Sequence, residues 1–430
     1  MLALDITGVL GKTITPAFGI PERDLEFLGD SLTKALSAFL AERERGEHAW
    51  TKAPLNNEAA VEVETIARRL RALRCETIAW IGIGGSGLGP RVLKDVFETR
   101  DTPEFLLIDS VDPAVVAAHT EDLDWRRTAL IVASKSGTTL ESMSVFLFLL
   151  ERLQRALGEN TKQRVVILTD PVPNPLRTFA QREGFTILPI PPDIGGRYSI
   201  FTPIGLLPLA LLGGDTVAFL SGAQEMDAVI RNSTFRENPA MQLAGIQYLL
   251  DVRRDYPLRV MVSYVGMLQN LPRWSQQLLA ESLGKSEAYG PTPLAALGTQ
   301  DQHSLLQQWL AGRRNSWFLL LNEGGHPDLR FPESPIAEFS SLSGRGLGEV
   351  LDALTKGTVE SLKNSRRPHA VITLPTVDET HLGQLFFLLM VEVILLSKLY
   401  RIDPYGQPAV EFGKQVAKAI LEGDTGHVVR

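Results

Sequence analysis

Two α/β units, each a parallel sheet covered by helices on both faces, are the fold that this 430-residue chain predicts. Three observations carry the prediction. Short runs rich in β-branched and aromatic residues recur from residue 77 onward, they alternate with longer helical segments, and most are apolar at every position. Strands that are apolar throughout are buried on both faces, and helices between them provide the crossovers of a parallel sheet. The length allows roughly two or three domains with substantial cores.

The elements follow in order. Residues 1–75 read as a helical N-terminal segment, with amphipathic stretches such as DLEFLGDSLTKALSAFLAERER. The opening MLALDITGVLGK has Asp5 where a secretion signal requires Lys or Arg, and its apolar run is short. The first α/β unit covers 76–225. Its strands are TIAWIGI (77–83), EFLLID (104–109), TALIVAS (128–134), RVVILTD (164–170) and TILPI (186–190), with helices such as LGPRVLKDVFE between them.

The second unit covers 226–400. NPAMQLAGIQYLLDVRR (238–254) is helical, LRVMVSY (258–264) is a strand, and a helix follows at about 272–283. SWFLLLN (316–322) and HAVITLP (369–375) are strands, and HLGQLFFLLMVEVILLSKLY (381–400) is an apolar helix. Glu392 lies inside that helix and no second span accompanies it, so it reads as a core helix rather than a membrane span. Residues 401–430 form a C-terminal loop and helix, with VEFGKQVAKAILEG as the helix.

Composition narrows the function. A net charge of −7 and a pI near 5.6 disfavour nucleic acid or an anionic membrane as partner. An anionic small substrate then needs a locally basic pocket. Cys75 is the single cysteine, which excludes an intrachain disulfide framework and fits a reducing, cytoplasmic setting. The seven histidines show no HxxxH or HxH spacing, so no metal is expected.

Two loops carry chemistry. The first strand runs into IGIGGSGLGPRVLKD, where glycines let the backbone approach a ligand and a helix N-terminus follows. Gly82, Gly84 and Gly87 also satisfy GxGxxG, and Asp109 ends the second strand where a ribose-binding acid would stand. An NAD-dependent enzyme therefore stays open at this point. The P-loop pattern fails, because Leu88 follows Gly87.

The second loop is SKSGTTLES, after the third strand. First and third strands are often neighbours in a doubly wound sheet, which would bring the two loops together at a switch point. Ser134, Ser136, Thr138 and Thr139 supply hydroxyls, Lys135 a charge, and the helix starting near Thr139 backbone donors, with Glu141 in its first turn. With Ser86 this describes a site for a terminal phosphate monoester. The plainer reading of the same residues is a helix N-cap with solvated neighbours.

These loops together resemble the phosphosugar-binding SIS domain. PDIGGRYSIFTPIGL (192–206) and LYRIDPYGQPAVEFGK (399–414) resemble the two signatures of the glucose-6-phosphate isomerase family, and ESLGKS (281–286) and GTQDQHS (298–304) resemble further segments. The resemblance runs over roughly residues 80–414. It implies two SIS domains, interconversion of glucose 6-phosphate and fructose 6-phosphate through a cis-enediol, no cofactor, and a homodimer. It makes Glu281 the base between C2 and C1, His303 and Lys414 the ring-opening groups, and Arg197 the stabiliser of the enediolate. Ser86, Ser134, Lys135, Ser136 and Thr139 would hold the phosphate, with Gly85, Gly196 and Gln407 lining the sugar. His303 would serve the neighbouring subunit's site. One position departs from the pattern: the family has Asp, Asn, Thr or His where this chain has Gly406.

The chemistry suits those residue types. A carboxylate can serve two adjacent carbons as base, a permanently charged planar arginine suits a developing oxyanion, and histidine works near neutral pH. Plainer readings stand beside them. Glu281 and Lys285 have the i,i+4 spacing of a surface ion pair. His303 can simply open a helix, and Lys414 can be solvated beside Glu411 and Lys418. Arg197 lies in a loop before a helix started by Thr202 and Pro203. At the level of function, the alternatives are an isomerase of other or broader specificity, including mannose 6-phosphate, and a noncatalytic phosphosugar sensor.

Overall fold

Two five-stranded sheets organise the chain in the computed structural model, which describes residues 1–423. The strands in chain order are β1 (Ala3–Asp5), β2 (Thr77–Ile81), β3 (Glu104–Ile108), β4 (Thr128–Ala133), β5 (Val165–Thr169) and β6 (Thr186–Pro189). They continue with β7 (Leu258–Ser263), β8 (Thr292–Leu297), β9 (Ser316–Glu323) and β10 (His369–Leu374).

The first sheet is parallel throughout, in the order β3-β2-β4-β5-β6. Every residue of β4 and β5 is buried, as continuous apolar runs require. The chain leaves β2 for β3 on one side and then crosses to β4 on the other. The expected adjacency of the first and third strands is therefore present, with Thr77 opposite Thr128 and Ile81 opposite Val132. Ligands of such sheets bind at this reversal, beyond the carboxyl ends of the strands.

The second sheet has the order β1-β10-β9-β7-β8, parallel except for β1, which pairs antiparallel with β10. Two of its strands differ from the sequence reading. β1 makes the N-terminal segment more than helical: residues 3–5 join the edge of the second sheet, and a three-residue strand is too short to show periodicity. β8 contains Pro293 and two alanines and alternates in exposure, consistent with an edge strand, where a missing N–H is tolerated.

The two sheets share a core. One continuous cluster of buried side chains takes Trp80 and Phe105 from the first sheet and Trp317 and Ile372 from the second. The helix Glu379–Tyr400 belongs to this core, packed against the helices Thr216–Asn232 and Pro239–Arg254 and buried along most of its length. Glu392 in that helix, 1% exposed, is ion-paired with the equally buried Arg259 of β7. The charge inside the apolar run is thus matched from the sheet, and removing either partner alone would cost about 3–5 kcal/mol.

Candidate active site

The glycine loop after β2 passes directly into the helix Gly85–Phe97. A Cβ on Gly85 would lie 2.1 Å from the carbonyl carbon of Gly196, so only glycine lets the 192–206 segment rest on this loop. Gly84 has φ +57, and a Cβ there would stand 3.1 Å from Nε2 of Gln277, on the helix Leu271–Leu283 of the second unit. The glycine loop is thereby packed against residues of both units. Ser86 is half-buried there, and its hydroxyl has no hydrogen bond among the described residues.

The 134–139 loop lies beside it, after β4. Ser134 is buried and its Oγ donates to Thr139 Oγ1 at 3.2 Å; Thr138 donates to Ser136 Oγ through its amide (3.3 Å) and hydroxyl (2.9 Å). Thr139 occupies the N-cap position of the helix Leu140–Leu157 but makes no side-chain cap bond. The plain N-cap reading therefore leaves the hydroxyls unexplained. Lys135 does something the sequence did not reveal. Its ammonium donates to the carbonyls of Pro192 (2.5 Å) and Ile194 (3.0 Å), tying this loop to the segment that carries Arg197. Burial lowers its pKa below the usual lysine value, against the opposing pull of Asp170 and Asp193.

Arg197 is the hub. It sits in a single helical turn, Gly196–Tyr198, and is 4% exposed. Its Nε donates to Ser282 Oγ (2.8 Å). Its Nη1 donates to Glu281 Oε2 (3.0 Å) and Gln407 Oε1 (3.1 Å), and its Nη2 to the carbonyls of Pro404 (2.5 Å) and Gly406 (3.5 Å). Downstream, Thr202 caps the helix Pro203–Leu211 through the amide of Ile204, as the sequence suggested.

Glu281 lies at the open edge of this network, with its side chain 33% exposed. Its second oxygen, Oε1, accepts a bond from Gln277 Nε2 at 2.8 Å. The surface-pair reading of Glu281 with Lys285 does not hold: Lys285 donates instead to the carbonyls of Asp403 (2.6 Å) and Tyr405 (2.5 Å). Burial, and next the nearby Arg197 charge, lower the pKa of Lys285. Gln277 was missed by sequence reasoning. The available signal was its i−4 spacing from Glu281, which puts both on one helix face. Its Oε1 is buried without a partner, beside the glycine loop.

The loop 403–407 therefore supplies acceptors to both Arg197 and Lys285. Gly406 has φ +67, a left-handed conformation that glycine adopts freely and that Asn and Asp also tolerate. The departure from the family pattern at this position is thus compatible with its backbone.

His303 and Lys414 stand apart. His303 lies exposed in the turns after β8, and neither residue is within hydrogen-bonding distance of Glu281 or Arg197. Lys414 pairs with Glu411 at 2.8 Å on the exposed helix Glu411–Glu422. Asp109, the would-be ribose acid, accepts a bond from Arg91 at 2.7 Å.

The sequence model for phosphoglucose isomerase matches residues 71–310. The chain is 34% identical over 413 residues to the glucose-6-phosphate isomerase of Rubrobacter xylanophilus, covering 93% of this chain and 94% of that one.

The chain belongs to the phosphoglucose isomerase family.

Within the family, a glucose-6-phosphate isomerase of Thermus thermophilus is likewise 34% identical, over 94% of this chain and 98% of the relative. A crystal structure of a hypothetical protein from the same organism superposes with a TM-score of 0.90 at 32% identity, covering 98% of this chain and all of that one. A glucose-6-phosphate isomerase from Chlamydia trachomatis shares the fold at 20% identity, with a TM-score of 0.82 over 95% of this chain and 88% of that one. Family membership weighs against the dinucleotide reading of GxGxxG, and Asp109 is already held by an arginine.

Proposed function

We propose that this enzyme interconverts glucose 6-phosphate and fructose 6-phosphate, with the phosphate at the switch point of the first sheet and the reacting carbons at Glu281. The observation that supports this most is the Arg197–Glu281 pair, set one loop away from a cluster of hydroxyls. A base and a fixed cation side by side are what proton transfer through an enediolate needs.

In this reading Glu281 takes the C2 proton of the open-chain aldose as the C1 carbonyl becomes an enediolate; the hydroxyl proton passes from O2 to O1, and Glu281 returns its proton to C1 as C2 becomes the carbonyl. Each carboxylate oxygen already accepts one bond and keeps a lone pair for substrate. Arg197 stands beside the oxygen that gains charge. Ser86, Ser134, Ser136 and Thr139 hold the phosphate, with the Lys135 charge nearby, and Gly85, Gly196 and Gln407 line the sugar. The reaction leaves the overall oxidation state of the sugar unchanged, so no electron carrier is needed.

Ring opening falls to His303 and Lys414, which the single chain leaves outside the site. A homodimer in which His303 enters the neighbouring subunit's site accounts for this. The helix Glu411–Glu422 supports it, because Phe412 (66% exposed) and Ile420 (59%), on one side of the helix, leave its apolar face uncovered in one chain. The charge balance and cysteine usage support a cytoplasmic setting.

The test is incubation with fructose 6-phosphate while a coupled dehydrogenase reports glucose 6-phosphate, with Glu281→Gln alongside. In deuterated water the native enzyme should carry label into the sugar and the variant should not. Absence of glucose 6-phosphate would refute the reading, and label exchange by the variant would move the base to another residue.

A further inference from the structure

We infer that His48, far from Arg197 in sequence, is a positioning residue for it, acting through the Tyr405 hydroxyl on the 403–407 loop. The inference rests on the isomerase reading of Arg197.

The loop gives Arg197 three of its acceptors and Lys285 both of its own, so its placement fixes the guanidinium from one side. Among the described residues, its carbonyls from Asp403 to Gly406 are held only by the two cations that the loop itself positions, so they give it no independent fixed point. The anchor is the Tyr405 side chain. Its ring packs edge-on against Tyr198, with centroids 5.5 Å apart, next to Arg197 itself. Its hydroxyl lies 2.6 Å from His48 Nδ1 and accepts a bond from Trp50 Nε1 at 3.0 Å.

His48 is in turn fixed, at 5% exposure. Its Nε2 lies 2.8 Å from Glu42 Oε2, which also accepts from Lys398 Nζ at 2.5 Å. An ionised carboxylate can only accept, so Nε2 carries the proton, and neutral Nδ1 accepts the Tyr405 hydroxyl. Every donor in the chain Lys398–Glu42–His48–Tyr405–Trp50 has an acceptor. Its members come from the N-terminal helices, the core helix Glu379–Tyr400 and the C-terminal loop, so the loop is moored to the rigid core.

Two substitutions at position 48 separate positioning from mere packing. Asn places its amide near Nδ1 and can still meet Tyr405. Gln reaches the Nε2 position, still meets Glu42, and leaves Tyr405 alone. With Tyr405→Phe as the mildest change, kcat should fall about 10-fold in Y405F and H48Q, because a displaced charge is costly at the reacting centre. KM should stay within about twofold, marking loss in the transition state rather than in binding. H48N should keep kcat within about threefold of the native enzyme, and H48Q/Y405F should be no slower than Y405F, since both cut one link. An inactive native enzyme would overturn the isomerase reading itself. A native enzyme that is active, with Y405F and H48Q at native kcat whatever their melting temperatures, would overturn the positioning role alone.

Discussion

Arg197→Lys tests the centre of the proposed site, because it keeps the charge and removes the fork. The guanidinium makes five hydrogen bonds from a 4% exposed position, and they run in three directions: to Ser282, to Glu281 with Gln407, and to the carbonyls of 404 and 406. A lysine ammonium is a point donor and can satisfy one or two of these at a time. At least two acceptors are then left without a donor, at about 1–3 kcal/mol each, so the site loosens by about 2–6 kcal/mol in total. Ser282 retains Tyr198 as a partner at 2.9 Å, which places the loss mainly at the 403–407 loop and at Glu281. Removing one aligned donor from a developing oxyanion lowers kcat by about 10²–10³. The expected result is a fall in kcat of about 100-fold, with KM for fructose 6-phosphate changed by less than about threefold, because the phosphate is held elsewhere. The coupled dehydrogenase assay reads both constants. A kcat within threefold of the native enzyme would refute the reasoning, and a raised KM with native kcat would make Arg197 a ground-state binder.

Lys135→Ala combined with Ser136→Ala should raise KM for the sugar phosphate by at least about 10-fold, through lost charge and hydroxyl contacts; native inhibition by 6-phosphogluconate would remove residues 134–139 from the phosphate site. Glu281→Gln and His303→Ala chains, each inactive alone, should regain about a quarter of native activity when co-refolded in equal amounts, because half the dimers are mixed and one of their two sites is intact. Recovery no greater than the parents' would place each site within one chain. Stability should fall in mild acid. Burial lowers the pKa of both His48 and His369 below the ordinary value of 6.5, outweighing the opposing bonds to Glu42 and to the carbonyl of Arg367. The unfolded chain therefore takes up protons first, so this stability is complete above about pH 6.5 and is lost as pH drops below it. A melting temperature that rises between about pH 6.5 and 5 would contradict this assignment.

The first unit was the more legible in sequence, and the reason is burial. β4 and β5 are buried at every position, so their apolar runs end where the strands end, and the loops that follow are conspicuous for what they lack. Residues such as Ser136 and Lys135 stand out after TALIV because no core needs them. β8 has the opposite character: Thr292 and Leu294 are exposed, Pro293 interrupts it, and nothing in TPLAAL announces a strand until β7 is there to pair with it. At the site, Arg197 and Glu281 could be named from a resemblance, but their bond spans 84 residues of chain and no local pattern encodes it. Lys285 shows the limit most plainly. Its spacing from Glu281 is ideal for a helix pair, yet the carbonyls of a loop 118 and 120 residues away win the ammonium. Local spacing describes what a helix offers in isolation, and tertiary acceptors decide what it does.

That long-range wiring has a consequence for how the site depends on the fold. The hydroxyl loop and the glycine loop belong to the first sheet, Glu281 and Gln277 to a helix of the second unit, and Arg197 to the stretch after β6 that lies on Gly85. No single unit holds both the hydroxyl cluster and the carboxylate. What keeps them in register is the shared core, to which the helix Glu379–Tyr400 belongs before the chain continues into the loop that grips Arg197. A core change there reaches the guanidinium through rigid connections rather than through substrate contacts. Catalysis requires alignment of reacting groups to a fraction of an ångström, whereas the proposed phosphate site offers several hydroxyls and tolerates more. Loosening the junction should therefore erode kcat before it erodes KM, and the site's two halves should differ in how sensitively each reports the state of the core between them.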